Sequence, residues 1–414
     1  MKKRFLSILI ALVISVLSVV TLASCGDKIC EHTFDNGACT LCGASTPSEG
    51  LKYKLASDGD YYIVSSIGTC TDTKIVIPAT YNGMPVYQVG VDAFKNNTKI
   101  TEVEIHEGVR VVNPYAFKGC TNLKSVSFPK TLTDIDWCSF ENCTALTKVD
   151  IPDRVSHIEF GAFRGCSSLV SVKLGSKLKT LGAYAFAHCS SIYAITIPSS
   201  IKEFGDRVFV GCNKLIEVYN KSKKKITVGS TDFGGVAEYA KNVYKKKNGS
   251  KLFTDENGFV FYLSDTENYL VDTVSRDISN LVLPASVKGQ KYSIYQYAFL
   301  DRKDILTVEN ASGVLAIGNY AFNACTNLST AEFGDDLTSI GDGAFYLDRA
   351  LSSFAVGKNL SSIGKNAFMG CSVLMAFNFG GSTSDWSGVV KGDLWNSLAP
   401  FKTIVCNNGE VDAN

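Results

Sequence analysis

The sequence predicts a repeat solenoid, built mainly of short β-strands with short helical turns and arranged in two blocks. Three observations predict it: phenylalanines recur every 23 residues, a Val-x-Ile signal keeps step with them, and a Pro or Gly closes that signal at a fixed place. Steps of 20–50 residues mark stacked repeats.

The phenylalanines are Phe94, Phe117, Phe140, Phe163, Phe186 and Phe209, then Phe299, Phe322, Phe345 and Phe368. Nine residues after Phe come Val103, Val126, Val149, Val172, Ile195 and Val218; eleven after come Ile105, Phe128, Ile151, Leu174 and Ile197. Alternation with β-branched residues predicts a short strand. Pro129, Pro152 and Pro198 follow it, with Gly334, Gly357 and Gly380 at that place in the second block. Proline has no amide donor and fixes φ, so it stops the ladder and opens a turn. Aliphatics such as Leu132 and Ile135 predict a second strand on another wall of the coil. The Ala-Phe-x-x-Cys corner is too short for a regular helix and is expected to be a tight helical turn. One coil cannot bury its own apolar edges, whereas stacking coils about 4.8 Å apart buries them continuously.

Three residues after Phe stands a cysteine column: Cys120, Cys143, Cys166, Cys189, Cys212, Cys325 and Cys371. Asn97, Arg302 and Asp348 fill the same place elsewhere. Side chains in one column point the same way, which does not suit a disulfide. The column is expected to hold reduced, buried spacers.

The N-terminus reads as an address. Met1–Arg4 is basic, Phe5–Thr21 is mostly apolar, and residues 1–24 form a secretory signal. Leu22-Ala23-Ser24-Cys25 resembles the lipobox of bacterial lipoproteins. That resemblance implies cleavage before Cys25 and a diacylglyceryl group on its sulfur, holding the chain on the outer face of the cell membrane. No later apolar run approaches the length of a transmembrane helix. Residues 25–57 then form a linker, 58–218 the first block, 219–280 a capping and connecting insertion, and 281–406 the second block with a C-terminal cap.

The linker carries Cys30, His32, Cys39 and Cys42. Two thiolates in C-x2-C spacing, a third cysteine and an imidazole suit one tetrahedral Zn²⁺, and metal binding would supply most of the folding free energy of so small a segment. An extracytoplasmic setting equally permits a disulfide from Cys30 to Cys39 or Cys42, or unstructured thiols. Four ligands close a site, which makes zinc structural; a zinc-dependent hydrolase is the remote alternative.

Over about residues 58–215 and 280–380 the repeat resembles the BspA-like leucine-rich-repeat family. It departs from the ordinary leucine-rich pattern in lacking the Asn after the strand. The resemblance implies a right-handed leucine-rich-repeat superhelix, a cell-surface location and adhesion or host-protein binding.

A net charge of +1 gives no long-range attraction to nucleic acid. No H-E-x-x-H, G-x-S-x-G or phosphate-binding glycine loop is present, so no enzyme is expected. The outward strand place, ten after Phe, runs Glu104, Ser127, Asp150, Lys173 and Thr196, then Glu309, Glu332, Ala355 and Asn378. Mixed charge with small polar residues suits a protein ligand, such as a matrix or host surface protein. That row has no aromatic ladder, which disfavours long glycans. The alternative is a glycan- or nutrient-capturing surface, with Trp386, Trp395 and the tyrosines of 292–297 as its platform. The lysines at 221–225 and 245–247 read as a solvated face. The four-ligand spacing predicts one zinc per chain in protein prepared with zinc; its absence by elemental analysis would refute the metal reading.

Overall fold

The computed structural model describes residues 45–245, 250–310 and 312–413 in full and no side chains among residues 1–44. The signal segment, the Cys25 attachment point, the Cys30, His32, Cys39 and Cys42 side chains, and Lys246 and Lys247 therefore lie outside the described residues. The chain divides into two compact units. One holds the residues up to Cys166 with Lys173–Ala185 and Ser200–Glu203; the other holds Ser167–Val172, Phe186–Ser199 and the chain from Phe204 onward. Each is a β-solenoid.

In the first unit, strands Lys74–Ile77, Glu102–Ile105, Ser125–Ser127 and Lys148–Asp150 lie parallel, with Ile75, Val103 and Val126 side by side. A second parallel row aligns Val89, Val112, Ile135, Ile158 and Leu181. Where turns are 23 residues long each pairing joins equivalent places of neighbouring repeats, and the longer step from Ile75 to Val103 still brings strand onto strand. At its open end the antiparallel hairpin Lys52–Leu55 and Tyr62–Ser66 covers the edge, a protection that bare edges need.

The Ala-Phe corners form a third ladder. Phe94 N donates to Ala116 O at 2.8 Å, Phe117 N to Ser139 O at 2.7 Å, and Phe140 N to Ala162 O at 2.8 Å. Bonds from residue i+3 back to i close tight turns, as between Asn97 N and Phe94 O. No helix propagates, because the places two before and two after Phe are left-handed: Tyr115 has φ 60° and Asn96 φ 58°. The second of these places alternates in kind: Asn96, Gly119, Asn142, Gly165. A Cβ on Gly119 would fall 2.2 Å from Asn96 Oδ1, and one on Gly165 2.2 Å from Asn142 Oδ1. One turn's side chain thus covers the next turn's glycine, which also tolerates the positive φ.

The phenylalanines stack inside. Centroids of Phe94, Phe117, Phe140 and Phe163 are 5.0, 5.1 and 5.3 Å apart in turn, with planes within 11°. Full burial contributes roughly 1.5–3 kcal/mol per ring. The cysteines do more than fill space: the thiols of Cys120, Cys143 and Cys166 donate to the carbonyls of Phe94, Phe117 and Phe140 at 3.1–3.2 Å. All the described cysteines are free. Burial pushes the Cys120 thiol up to about 12.

The second unit repeats this plan. Its phenylalanine column Phe299, Phe322, Phe345, Phe368 stacks at 5.0–5.2 Å, and Cys325 and Cys371 donate to Phe299 and Phe345 carbonyls. The stretch 219–280 holds a further turn without the motif: Asn242–Tyr244 pairs in parallel with Glu217–Asn220. There the short helix Asp232–Gly235 stands in the corner, and Phe209 N reaches Gly234 O at 2.8 Å. Phe259–Leu263 and Asn268–Thr273 follow as an antiparallel pair before parallel stacking resumes. At the far end Gly409–Asp412 folds back antiparallel onto Thr403–Cys406.

Charge replaces the thiol at Arg302. Asp272, 1% exposed, meets Lys214 at 2.9 Å, Arg276 at 2.8 Å and Arg302 at 3.6 Å, and Arg302 also binds Asp304 at 2.7 Å. Although burial alone would raise the Asp272 carboxyl, Lys214 and Arg276 hold it at about 2. Removing one member of such a buried set costs roughly 3–5 kcal/mol.

Asp348 stands in the same column without such partners. It is fully buried and neither carboxylate oxygen has a hydrogen-bond partner. Burial drives its carboxyl well above the usual carboxylate range. A raised folded-state pKa leaves stability intact at acid pH and removes it as pH rises above the unfolded value of about 4. Asp348→Cys restores the thiol donor. The expected outcome is a gain of roughly 1–3 kcal/mol at pH 7, shrinking toward pH 4, in urea melts at the two pH values.

Candidate functional site

In the second unit the strands Asn280–Val282, Thr307–Asn310, Thr330–Phe333, Ser353–Val356, Ala376–Phe379 and Thr403–Cys406 form one parallel row. Their alternation sends Val308, Ala331, Phe354 and Phe377 into the core. The opposite places line up outward as Val282, Glu309, Glu332, Ala355, Asn378 and Val405. A groove of about 740 Å³ runs along this row. Beside it stand Gly334, Gly357 and Gly380, where the first block prefers proline. A Cβ on Gly357 would lie 2.4 Å from the Asp335 backbone. Successive backbones therefore touch there, and that wall carries no side chain.

Glu309 and Glu332 are neighbours on adjacent strands, both exposed. Neither makes a side-chain hydrogen bond or ion pair among the described residues. The nearby Asp336 is engaged: Lys291 at 2.5 Å and the Gly313 amide at 2.8 Å hold its carboxyl below the usual range. Val282 is 57% exposed and Val405 42%. The floor thus offers two unpaired carboxylates between apolar ends. It can accept charge-assisted hydrogen bonds from cationic side chains while burying apolar ones.

In the first unit the register places Glu104 beside Ser127, and pairing of Ser125 with Lys148 places Ser127 beside Asp150. Lys173 follows on the strand Ser171–Lys173. This row is already occupied. Ser45 Oγ lies 2.7 Å from Glu104, Lys74 Nζ lies 3.0 Å away, and Ser48 bonds both the amide and the carbonyl of Val76. Despite partial burial, the Ser45 and Lys74 hydrogen bonds hold the Glu104 carboxyl at about 2. Asp150 pairs with Lys148 at 2.8 Å. Thr196 belongs to the second unit, beside a buried Tyr219. Its neighbour Glu217 is fully buried and accepts from Ser250 Oγ at 2.9 Å and Lys251 N at 2.7 Å. The outward places therefore fall in three separate sheets, one with Glu104 to Lys173, one with Thr196 and one with Val282 to Val405, and of their carboxylates only Glu309 and Glu332 stay unengaged.

One expected surface does not exist. Trp386 is 1% exposed and Trp395 6%, packed against Phe377 at the end of the aromatic stack; Tyr292 and Tyr295 are buried too. The tryptophans bury because the last coil needs apolar cover, Tyr292 and Tyr295 bury in the core of the earlier turns, and Tyr297 is half-buried against Tyr320, so these rings form no shared platform for a glycan. Exposed aromatics lie elsewhere: Tyr81, and Trp137 and Phe160, the last two each three places before a column phenylalanine. The 23-residue separation of Trp137 and Phe160 was the signal that could have found them. Among the described residues no group of three or more His, Cys, Asp or Glu is placed to hold a metal, and no helix is long and apolar enough to cross a membrane.

A family model described as BspA type leucine rich repeat region matches residues 87–216 and 274–388. Several solved structures are similar. A leucine rich cell surface protein from Faecalibacterium prausnitzii is 21% identical, covering 83% of this chain and 97% of its own, with a TM-score of 0.33. A leucine-rich repeat protein from Bacteroides ovatus is 16% identical, covering 86% and 89%, with a TM-score of 0.34. The pneumococcal vaccine antigen PcpA is 19% identical, covering 88% and 87%, with a TM-score of 0.37. No curated protein matches.

Proposed function

The chain belongs to the BspA-type leucine-rich-repeat family, and on that premise we propose that it is a cell-surface protein whose second-unit groove binds a protein ligand in adhesion. The observation that carries this reading is the Glu309–Glu332 pair, two exposed carboxylates left unpaired on a rigid sheet beside a groove. Elsewhere along the outward rows, carboxylates are satisfied by Ser45, Lys74, Lys148 or Ser250. Rigid parallel strands fix the spacing of the two carboxylates before any partner arrives, so little conformational entropy is lost on binding.

The N-terminal signal and the Leu22-Ala23-Ser24-Cys25 sequence support a lipid anchor at Cys25 on the outer face of the membrane. Cys30, His32, Cys39 and Cys42 would then lie between anchor and solenoid as a small metal-stapled spacer. A matrix or host surface protein with a basic, partly apolar patch fits the groove best.

Binding of the purified chain to an array of immobilised matrix proteins tests this. At least one is expected to bind saturably, and Glu309→Lys with Glu332→Lys should weaken that binding by about tenfold or more while leaving the melting temperature unchanged. Equal binding by the reversed-charge variant, or no binding across the array, would refute the reading.

A further inference from the structure

Four consecutive turns of the first unit carry an aromatic ring at the corner before Ala-Phe or its equivalent: Tyr115, Trp137, Phe160 and Tyr184. Trp137 is 54% exposed and Phe160 40%, whereas the other two tryptophans of the chain are buried. The backbone ties these corners together: Tyr115 N donates to Trp137 O at 3.0 Å and Cys138 N to Phe160 O at 2.9 Å. Phe160 and Tyr184 centroids are 5.6 Å apart. The indole N–H of Trp137 donates to Glu159 at 3.2 Å, which fixes the tilt of the ring. Cations flank the row, with Arg164 5.7 Å from the Tyr184 ring and Lys118 5.4 Å from that of Tyr115. Trp137 and Phe160 are large rings left in water where burial would gain free energy, set at the corners of neighbouring turns within reach of one extended ligand.

The surroundings select the ligand. The rings are separated by polar groups rather than joined into an apolar patch. Asp136 and Glu159 stand at successive turns just before Trp137 and Phe160, and Asp134, His157 and Thr180 align on the adjoining outward strand row. A sugar has hydroxyls for them, and its C–H faces pack on aromatic rings. The corners of successive turns repeat with the coil pitch, given by the 5.0–5.3 Å phenylalanine spacing and close to the advance of one pyranose along an extended β-linked chain, while the rings themselves fall at two places, Tyr115 and Tyr184 two before Phe and Trp137 and Phe160 three before. Asp134, Asp136 and Glu159 offset the flanking Lys118 and Arg164, so the row offers a polyanion no excess of positive charge. We propose that the first unit binds a neutral, extended β-linked oligosaccharide along Tyr115, Trp137, Phe160 and Tyr184, at a site separate from the groove.

Tryptophan fluorescence reads this directly, because Trp137 is the exposed tryptophan. The full chain would be titrated with cellohexaose, xylohexaose and β-1,4-mannohexaose, with dextran and polygalacturonate as controls. At least one of the three β-linked chains should shift the emission saturably and shield Trp137 from acrylamide, while the controls do neither. By calorimetry, Trp137→Ala and Phe160→Ala should each weaken that sugar by about tenfold, with melting temperatures unchanged and Glu309→Lys without effect. The proposal is overturned if none of the three binds, or if binding survives both ring removals. It is also overturned if Trp137 is shielded without sugar as protein concentration rises, because a second copy would then cover the row.

Discussion

Face-to-face stacking of one phenylalanine per turn sets the dimension on which everything else depends. The rings repeat at about 5 Å within each unit, close to the spacing of hydrogen-bonded strands. Ring stack and strand ladder are therefore commensurate, and neither strains the other. The thiol column reinforces the match, since each Sγ–H reaches back to the carbonyl of the phenylalanine one turn earlier. Turns of 23 residues keep ring, thiol and ladder in step together, whereas the longer turns from Ile75 to Val103 and from Asn378 to Val405 keep the ladder without the full set of columns.

That dimension was legible in the sequence because it is written in large, chemically distinct residues at fixed places. Phe94 to Phe209 and Phe299 to Phe368 reveal the coil, Val103 and Ile105 the strand, and Pro129 or Gly357 its end. Features that depend on contact between distant residues were not legible. The cover of Ser45 over Glu104 spans 59 positions, and no periodicity announces it. The tail with Trp386 and Trp395 reads as a cover for the last coil, because an open strand edge needs one; the alternative of an exposed aromatic platform fails because closing that coil buries both rings. The turn through Asn242–Tyr244 keeps its pairing after losing its motif, because backbone hydrogen bonds continue where side-chain identity does not.

The departures from the repeat carry the individuality of the chain. At the cysteine place, Arg302 joins Lys214, Arg276, Asp272 and Asp304 in a buried charge set, whereas Asp348 enters the same kind of space with no counter-charge. One substitution is compensated and the other is not. On the surface the same distinction separates Glu104, engaged by Ser45 and Lys74, from Glu309 and Glu332. Regular coils supply rigid rows, and what each row lacks internally is what it has to offer a partner.

Removing one whole turn tests the account most directly. Deleting the 23 residues 323–345 joins Phe322 to Tyr346 and leaves the succession of columns intact. The account predicts a folded, cooperatively melting chain with unchanged β-type circular dichroism shape, while deletion of 324–345 or of 322–345 breaks the register and lowers the melting midpoint further. Equal melting of all three deletions, or loss of folding only in the 23-residue one, would contradict it.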